Sequence, residues 1–306
     1  MIKTFKNKFH KDHPMFGMAC AIGAFFMFAI MQVFAKLLSE THHVIEIAFY
    51  RNLIATLPFL FLIFVMNKRK ILTINSRPKT ILARSILGTL SLIVTFGAFA
   101  HLPLADATAF LFTASLIIPI LGIFFLSEKV GPYRWAAIII GFIGVLIMLK
   151  PTGDFNALGV TLALSAASMH ATLQIILRKL GKSEKPETVT FYFVMIGTIV
   201  SALGLPFVAV PPTLNEIPLM FGVGLSGVMA QFLLSHAYKN AEATIVTVFN
   251  YSGIIWATVF GWLIWGDWPA ITIWIGGTIV ICSNIYILWR EGRKGKVTGD
   301  RIRAKF

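Results

Sequence analysis

Apolar residues along this chain come in ten long stretches separated by short polar connections. The stretches are Met15–Leu38, Val44–Met66, Ile81–Ala100, Leu104–Leu126, Pro132–Leu149, Ala157–Leu177, Val189–Val208, Ile217–Ala237, Ala243–Ile264 and Pro269–Trp289. Crossing the hydrocarbon core of a bilayer takes about 20 apolar residues as a helix, and each stretch comes near that length. The pattern predicts an all-α integral membrane protein with ten transmembrane helices, here called spans 1 to 10. The connections are short, so neighbouring spans run antiparallel. No stretch is left over for a soluble domain.

The same pattern repeats once. Gly159 to Leu180 lies without a gap on Gly17 to Leu38 at a shift of 142 positions. Gly17/Gly159, Ala21/Ala163, Ala24/Ala166, Met27/Met169, Ala29/Ala171, Gln32/Gln174 and Leu38/Leu180 are identical, Lys36/Arg178 keep the charge, and Phe49-Tyr50 falls on Phe191-Tyr192. Ala105-Asp106-Ala107-Thr108 opens span 4 and Ala241-Glu242-Ala243-Thr244 opens span 9, a shift of 136; Trp135 and Trp274 match at 139. The chain therefore divides into a unit at 15–149 (spans 1–5), a unit at 157–290 (spans 6–10), and basic tails at 1–14 and 291–306. Five crossings is an odd number, so the second unit enters the membrane upside down. Inverted repeats are the architecture of alternating-access transporters, whose substrate site lies near the midplane between the halves.

Charge sets the orientation. Lys3, Lys6, Lys8 and Lys11 precede span 1; Lys68, Arg69, Lys70, Arg77, Lys79 and Arg84 fall between spans 2 and 3; Lys129 and Arg134 between 4 and 5; Arg178, Lys179, Lys182 and Lys185 between 6 and 7; Lys239 between 8 and 9. Seven more bases follow span 10. All these connections share one side, and the positive-inside rule makes that side, with both termini, cytoplasmic. The net charge of +14 is thereby a matter of topology, not of nucleic-acid binding. The composition agrees: 57% of residues are hydrophobic and 13% charged, against about 45–50% and roughly 25% in soluble domains. Cys20 and Cys282 sit inside apolar runs and read as packing residues, with no disulfide frame or metal spacing. The first apolar run exceeds the h-region of a secretory leader and lacks a convincing cleavage site, so it reads as span 1.

The helix 2 sequence Glu46-Ile47-Ala48-Phe49-Tyr50-Arg51-Asn52 resembles the signature of the drug/metabolite transporter superfamily in its ten-helix form, built of two EamA-type units. Spans 4 and 9 end in Leu126-Ser127-Glu128 and Trp265-Gly266-Asp267, which match the family's short apolar–Gly/Ser–acid turn and lead into Arg134-Trp135 and Ile273-Trp274. Asp267 stands where Glu is usual, and Ser283 in span 10 stands where span 5 has Gly144. The resemblance implies a multi-pass transporter of the cell inner membrane or plasma membrane, not an enzyme, carrying a small organic molecule. It leaves the substrate open.

Polar residues inside the spans are the candidate site, because each needs a partner or a water-filled cavity. Arg51 is the sole base well inside a span in this reading. It is either an anchor for a carboxylate or phosphate, or a structural arginine holding helix ends. Glu46 lies five positions earlier, pointing roughly 140° away, so it faces another helix or the outer vestibule. His170 is the deepest titratable residue and the candidate for proton coupling; the alternative is a neutral histidine bonded between helices. Gln174 lies one turn on, and Gln32 is its counterpart in the first unit. Thr95, Ser115, Gln231, Asn250, Tyr251 and Trp256 complete the candidate substrate lining. Pro119 allows a kink in span 4. His42, His43, Glu40, Glu46 and His101 lack any metal-specifying spacing, so no metal and no cofactor is expected. No P-loop, G-x-S-x-G or HExxH is present.

These features predict a secondary active transporter moving a small amino-acid-like, zwitterionic or anionic metabolite by alternating access. Its partners are the substrate, the lipid bilayer, and protons or a counter-substrate; nucleic acid is not among them, and the protein is a monomer or a homodimer. The alternatives are a multidrug or cation exporter of the same fold and, in another class, a membrane-embedded lipid-modifying enzyme.

Overall fold

The structure, a computed structural model, describes residues 14–126, 131–149, 156–180, 183–240, 246 and 249–303. The Ser127-Glu128 turn, the Ala241–Thr244 stretch and the basic tails before residue 14 and after residue 303 lie outside the described residues. The helices are α1 (Pro14–Leu38), α2 (Val44–Phe64), α3 (Pro78–His101), α4 (Leu104–Leu111), α5 (Ala114–Leu126), α6 (Pro132–Met148), α7 (Ala157–Leu180), α8 (Pro186–Val208), α9 (Ile217–Asn240), α10 (Ser252–Trp265) and α11 (Ile271–Arg303). Seven segments are long and apolar enough to cross a membrane, α4 and α5 together forming one of them; Trp135–Met148, Ser252–Trp265 and Ile271–Ile287 are shorter apolar helices. Together they are the ten spans expected from the hydropathy pattern.

The packing is that of two interlocked copies. The extensive contacts join helices of different units: α1 with α9 and its counterpart α7 with α3, α2 with α9 and its counterpart α8 with α3, α1 with α10 and its counterpart α7 with α4 and α5. Two further pairs, α2–α8 and α6–α11, join a helix to its own counterpart, and α4–α10 joins the two broken spans. A pseudo-two-fold relation between the units accounts for every one of these pairings. The main buried cluster accordingly draws on both units, with Phe96, Phe99, Leu104 and Leu116 from one and Val160, Val223, Ile254 and Val280 from the other. Glycines permit the closest crossing: a Cβ on Gly144 would stand 2.7 Å from the Gly276 carbonyl, and one on Gly276 would collide with the Gly144 carbonyl. Small residues at such crossings let backbones approach without lipid-facing bulk between them.

Two departures from the sequence expectation concern span 4 and α3. Span 4 is not one helix: it breaks at Phe112-Thr113, before Pro119 rather than at it. Around the break the backbone tightens, with Thr113 N–H on Phe110 O and Leu116 N–H on Thr113 O, and the Ser115 hydroxyl donates to Phe112 O. Span 9 does the same thing at Tyr251: Ile254 N–H bonds Tyr251 O, and the Ser252 hydroxyl donates to Phe249 O. A serine three residues past the carbonyl it captures competes with the helical ladder at equivalent places in both units. The second departure is Arg84, which belongs to the interior of α3 because that helix starts at Pro78; it is not a connection charge.

The two ends of the bundle are closed by equivalent devices. One end, here the basic end, carries the α2–α3 and α7–α8 connections; the opposite end is the far end. At the basic end the carboxylate of Glu184 accepts the N–H groups of Asn75 (2.9 Å), Ser76 (2.8 Å) and Arg77 (3.0 Å). It thereby caps α3, whose own N-cap residue supplies no side-chain bond. At the far end His42, which stands at Glu184's place under the 142-residue shift, is buried between two carboxylates. Its Nδ1 is 3.1 Å from Glu46 and its Nε2 3.2 Å from Glu216. Neither nitrogen has hydrogen-bond geometry, so the contacts are ionic in kind when the ring is protonated. Glu216 in turn accepts from the backbone N–H and hydroxyl of Thr213 and the hydroxyl of Thr41, each at 2.7 Å.

These bonds hold both carboxyls below their ordinary range. For Glu184, burial pushes the value up, but the three N–H bonds outweigh it. For Glu216, the Thr213 N–H leads, followed by the Thr213 and Thr41 hydroxyls, and the value falls from 4.5 to about 2. A depressed carboxyl contributes stability above its unfolded value and loses it as pH falls through the folded one. The melting-temperature difference between the native protein and Glu216→Gln in detergent should thus shrink as pH falls from roughly 4.5 to 2. A difference that stays constant down to the low end of that range would contradict the assignment.

Candidate functional site

Where the broken helices meet, the site begins. Phe112, at the break of span 4, and Tyr251, at the break of span 9, stand edge to face with centroids 5.2 Å apart. The Tyr251 hydroxyl interacts with Ser115 and with Asn284 of α11, though none of these contacts reaches full hydrogen-bond geometry, and the amide of buried Asn284 has no hydrogen-bond partner among the described residues. Discontinuous helices with freed backbone groups near the midplane are where transporters of this architecture hold cargo. Asn284 was missed in sequence, since a single Asn in a long apolar run reads as any other polar interruption.

Two further polar contacts cross between helices. The His170 Nε2 lies 3.4 Å from the Thr95 hydroxyl, which itself donates to Ser91 O at 2.7 Å. With its proton so committed, Thr95 can only accept, which assigns the imidazole N–H to Nε2. The Thr108 hydroxyl donates to Leu104 O at 2.7 Å, and its oxygen lies 3.4 Å from the Gln32 side-chain oxygen. Gln174 is exposed one turn beyond His170, while Gln231 and Asn250 are half-buried on α9 and just before Tyr251. Trp256 packs its ring edge-on against Phe26, centroids 4.9 Å apart, with a buried Nε1–H that has no acceptor among the described residues. The sequence candidates therefore fall into separate contacts between helices: Thr95 with His170, Gln32 with Thr108, Ser115 with Tyr251.

Arg51 belongs to a different group. It is 6% exposed, and its Nη1 donates to the Asn52 side-chain oxygen at 2.8 Å. Its guanidinium carbon is 5.6 Å from the centre of the Phe193 ring, and that of Arg84 is 4.0 Å from the same ring. Arg51 Nε, Asn52 Nδ2, Arg84 Nε and Arg84 Nη1 are all buried donors without an acceptor among the described residues. Glycines make the room: a Cβ on Gly197 would lie 2.7 Å from Asn52 Nδ2 and 2.9 Å from Thr89 Oγ1, one on Gly88 2.9 Å from the Phe193 ring, and one on Gly227 3.2 Å from Arg51 Nε. Gly197 and Thr89 sit halfway along α8 and α3, which puts the cluster near the middle of the bundle. Arg51 thus lies inside the bundle, beside a second arginine that the sequence reading had counted among connection charges. The polar face Arg84–Gly88–Ser91–Thr95, at helical spacing, is the signal that could have found it. Glu46, as its angular separation implied, faces away and accepts the Val210 N–H at 3.3 Å.

At the far end Lys36 straps three elements together. Its ammonium donates to Leu102 O at 3.0 Å, pairs with Asp267 at 3.5 Å, and lies 4.9 Å from the centre of the Trp265 ring. It thus closes the space between α1, the α3–α4 turn and the α10–α11 turn. Gln32 lies one turn deeper on the same face of α1.

The sequence profile of the EamA-like transporter family matches this chain twice, at residues 15–150 and 157–289. The pseudopaline exporter of Pseudomonas aeruginosa is 30% identical over 275 residues, covering 88% of this chain and 94% of its own. The S-adenosylmethionine uptake transporter of Rickettsia bellii is 29% identical over 85% of this chain and 88% of its own. The riboflavin transporter of Vibrio cholerae is 28% identical over 94% and 97%. A solved crystal structure superimposes at a TM-score of 0.60, covering 90% of this chain and 96% of its own at 15% identity, a likeness of fold.

The Lys36 strap predicts how access to the interior is limited. With Cys20 and Cys282 replaced by Ala, a cysteine at Gln32 should react slowly with a bulky thiol reagent in detergent. Adding Lys36→Met should raise that rate about tenfold, the population change that loss of one charge-assisted bond of ~1.5 kcal/mol permits. An unchanged rate would mean that Lys36 does not close the far end.

Proposed function

The chain belongs to the EamA-like transporter family, and on that premise we propose that it is a secondary active transporter working by alternating access. It is a multi-pass membrane protein that transports small metabolites, and not an enzyme. Its relatives are named for different cargoes and include both an exporter and an uptake transporter, so neither cargo nor direction passes to this chain from them. The interior supports a reading of the cargo class instead.

The observation that carries this reading is Arg51, buried and facing an amide oxygen and an aromatic ring, with no carboxylate paired to it among the described residues. A guanidinium keeps its charge and presents a planar fork suited to a carboxylate or phosphate. The substrate is a small organic metabolite, amino-acid-like, zwitterionic or anionic, whose anionic group docks on Arg51. Gln32, Thr95, Ser115 and Tyr251 supply polar contacts, with Gln174, Gln231, Asn250 and Trp256 completing the lining as the cavity opens. His170 is the group through which protons couple, if protons are the driving ion. The basic end faces the cytoplasm, as the lysines and arginines of its connections require. A cation exporter would need a free carboxylate within the bundle; Glu46 is bound by His42 and the Val210 N–H, and Asp267 by Lys36.

Counterflow into proteoliposomes tests the transport mechanism, using ligands found by thermal shift over a metabolite library. Labelled substrate should accumulate transiently against unlabelled substrate inside. A charge-assisted bond contributes about 1.5–3 kcal/mol, so Arg51→Gln should weaken apparent affinity by roughly 10- to 100-fold, and Arg51→Lys should recover part of it. Normal affinity in Arg51→Gln would return Arg51 to a structural role. His170→Ala should abolish the pH dependence of accumulation and leave exchange in place; unchanged pH dependence would remove His170 from coupling.

A further inference from the structure

The arginine pair narrows the substrate class further, and this step rests on the transporter reading above. Arg51 of α2 and Arg84 of α3 flank one ring, Phe193 of α8. The two distances to that ring place their guanidinium carbons no further apart than about one Debye length at 0.1 M salt, ~10 Å. Each carries at least one buried N–H without an acceptor among the described residues, as does Asn52 beside them. A Cβ on Gly227 of α9 would stand 3.2 Å from Arg51 Nε, and among the described residues no ion pair joins either arginine to an acid. Arg51 is close enough to Arg84 for the two charges to act on each other.

Two like charges held this close in an apolar bundle repel, and burial strengthens the repulsion. A zwitterion satisfies one guanidinium with its carboxylate but brings an ammonium toward the other. A molecule with a single anionic group leaves one buried charge uncompensated, which is the costly case. We propose that Arg51 and Arg84 form one divided cation site, and that the transported substrate carries two anionic groups on a short spacer, one for each guanidinium. Both guanidinium groups lie against the Phe193 ring, 5.6 and 4.0 Å from its centre. Gly88, Gly197 and Gly227 are the positions where a side chain would fill the space around them.

The test is thermal stabilisation of the purified protein in detergent at matched ionic strength. The probes are short di-anions with two separated anionic groups (succinate and glutarate), acetate as a mono-anion, glycine as a zwitterion, and sodium chloride as reference. At least one di-anion should raise the melting temperature well beyond acetate, and glycine should do nothing. In Arg84→Gln the di-anion increment should collapse to the acetate level, with Arg84→Lys keeping part of it; in Arg51→Gln both increments should fall. The proposal is overturned if no di-anion exceeds acetate, or if Arg84→Gln retains the full increment. Should Arg84→Gln fail to fold, the comparison of di-anion with mono-anion in the native protein decides alone. Phosphatidylglycerol added to the same detergent is the arm for a lipid headgroup: stabilisation by it, with none by the soluble di-anions, also overturns the proposal. Counterflow that proceeds normally with a zwitterionic or cationic substrate would sink this inference and leave the transporter reading intact.

Discussion

Two guanidinium groups share the middle of an apolar helix bundle, and no carboxylate faces either of them among the described residues. Removing an ion from water costs several kcal/mol even after a protein relaxes around it. What the bundle offers in return is modest: an amide oxygen for Arg51, and the face of Phe193, an interaction in the range of ~0.5–2 kcal/mol. The rest of the arrangement follows from this imbalance. Glycines on α3, α8 and α9 hold space open around the charges, while the acids that would neutralise them are engaged elsewhere, Glu46 at His42 and Glu184 on the α3 N-terminus. In the proposed reading, a site that keeps its positive charge unpaired is prepared for an anion that arrives and leaves.

The two-copy architecture makes such a site accessible. Because nearly every extensive helix contact joins one unit to the other, neither unit has a core of its own, and the interior is an interface throughout. Interfaces can rearrange between discrete packings more readily than a continuous core can deform. The clamps at the two ends differ in chemistry although they occupy equivalent places: a carboxylate on backbone N–H groups at one end, an imidazole between carboxylates at the other. The far end has the Lys36 strap in addition. Identical ends would give the two faces the same energy; these give each face its own.

The hydropathy pattern announced the ten spans and the repeat because bilayer thickness and side-chain transfer act on each residue separately. Contacts between units are a different matter. Nothing local to Glu184 says that it caps a helix more than a hundred positions away. Arg84 looked like a connection charge because it stands close to the basic end of its span; only the Phe193 ring of α8 packed against it shows that it points into the bundle. The breaks in spans 4 and 9 were invisible for another reason: Ser115 and Ser252 interrupt the ladder through one hydroxyl each, which changes hydropathy hardly at all. Of the candidate residues, Arg51 and His170 could be singled out by the cost of their chemistry in lipid, whereas Asn284 and Phe193 gain meaning only from what stands opposite them.

The claim that this interior is built to receive an anion can be tested by supplying the missing charge from within. Asn52→Asp would place a carboxylate where the amide oxygen now accepts from Arg51 at 2.8 Å, with almost no change in shape. If the guanidinium is kept unpaired for a ligand, the variant should melt higher than the native protein in the absence of any anion, and should lose the stabilisation that anions confer on the native protein. A variant that melts no higher and still gains stability from anions as the native protein does would contradict the account.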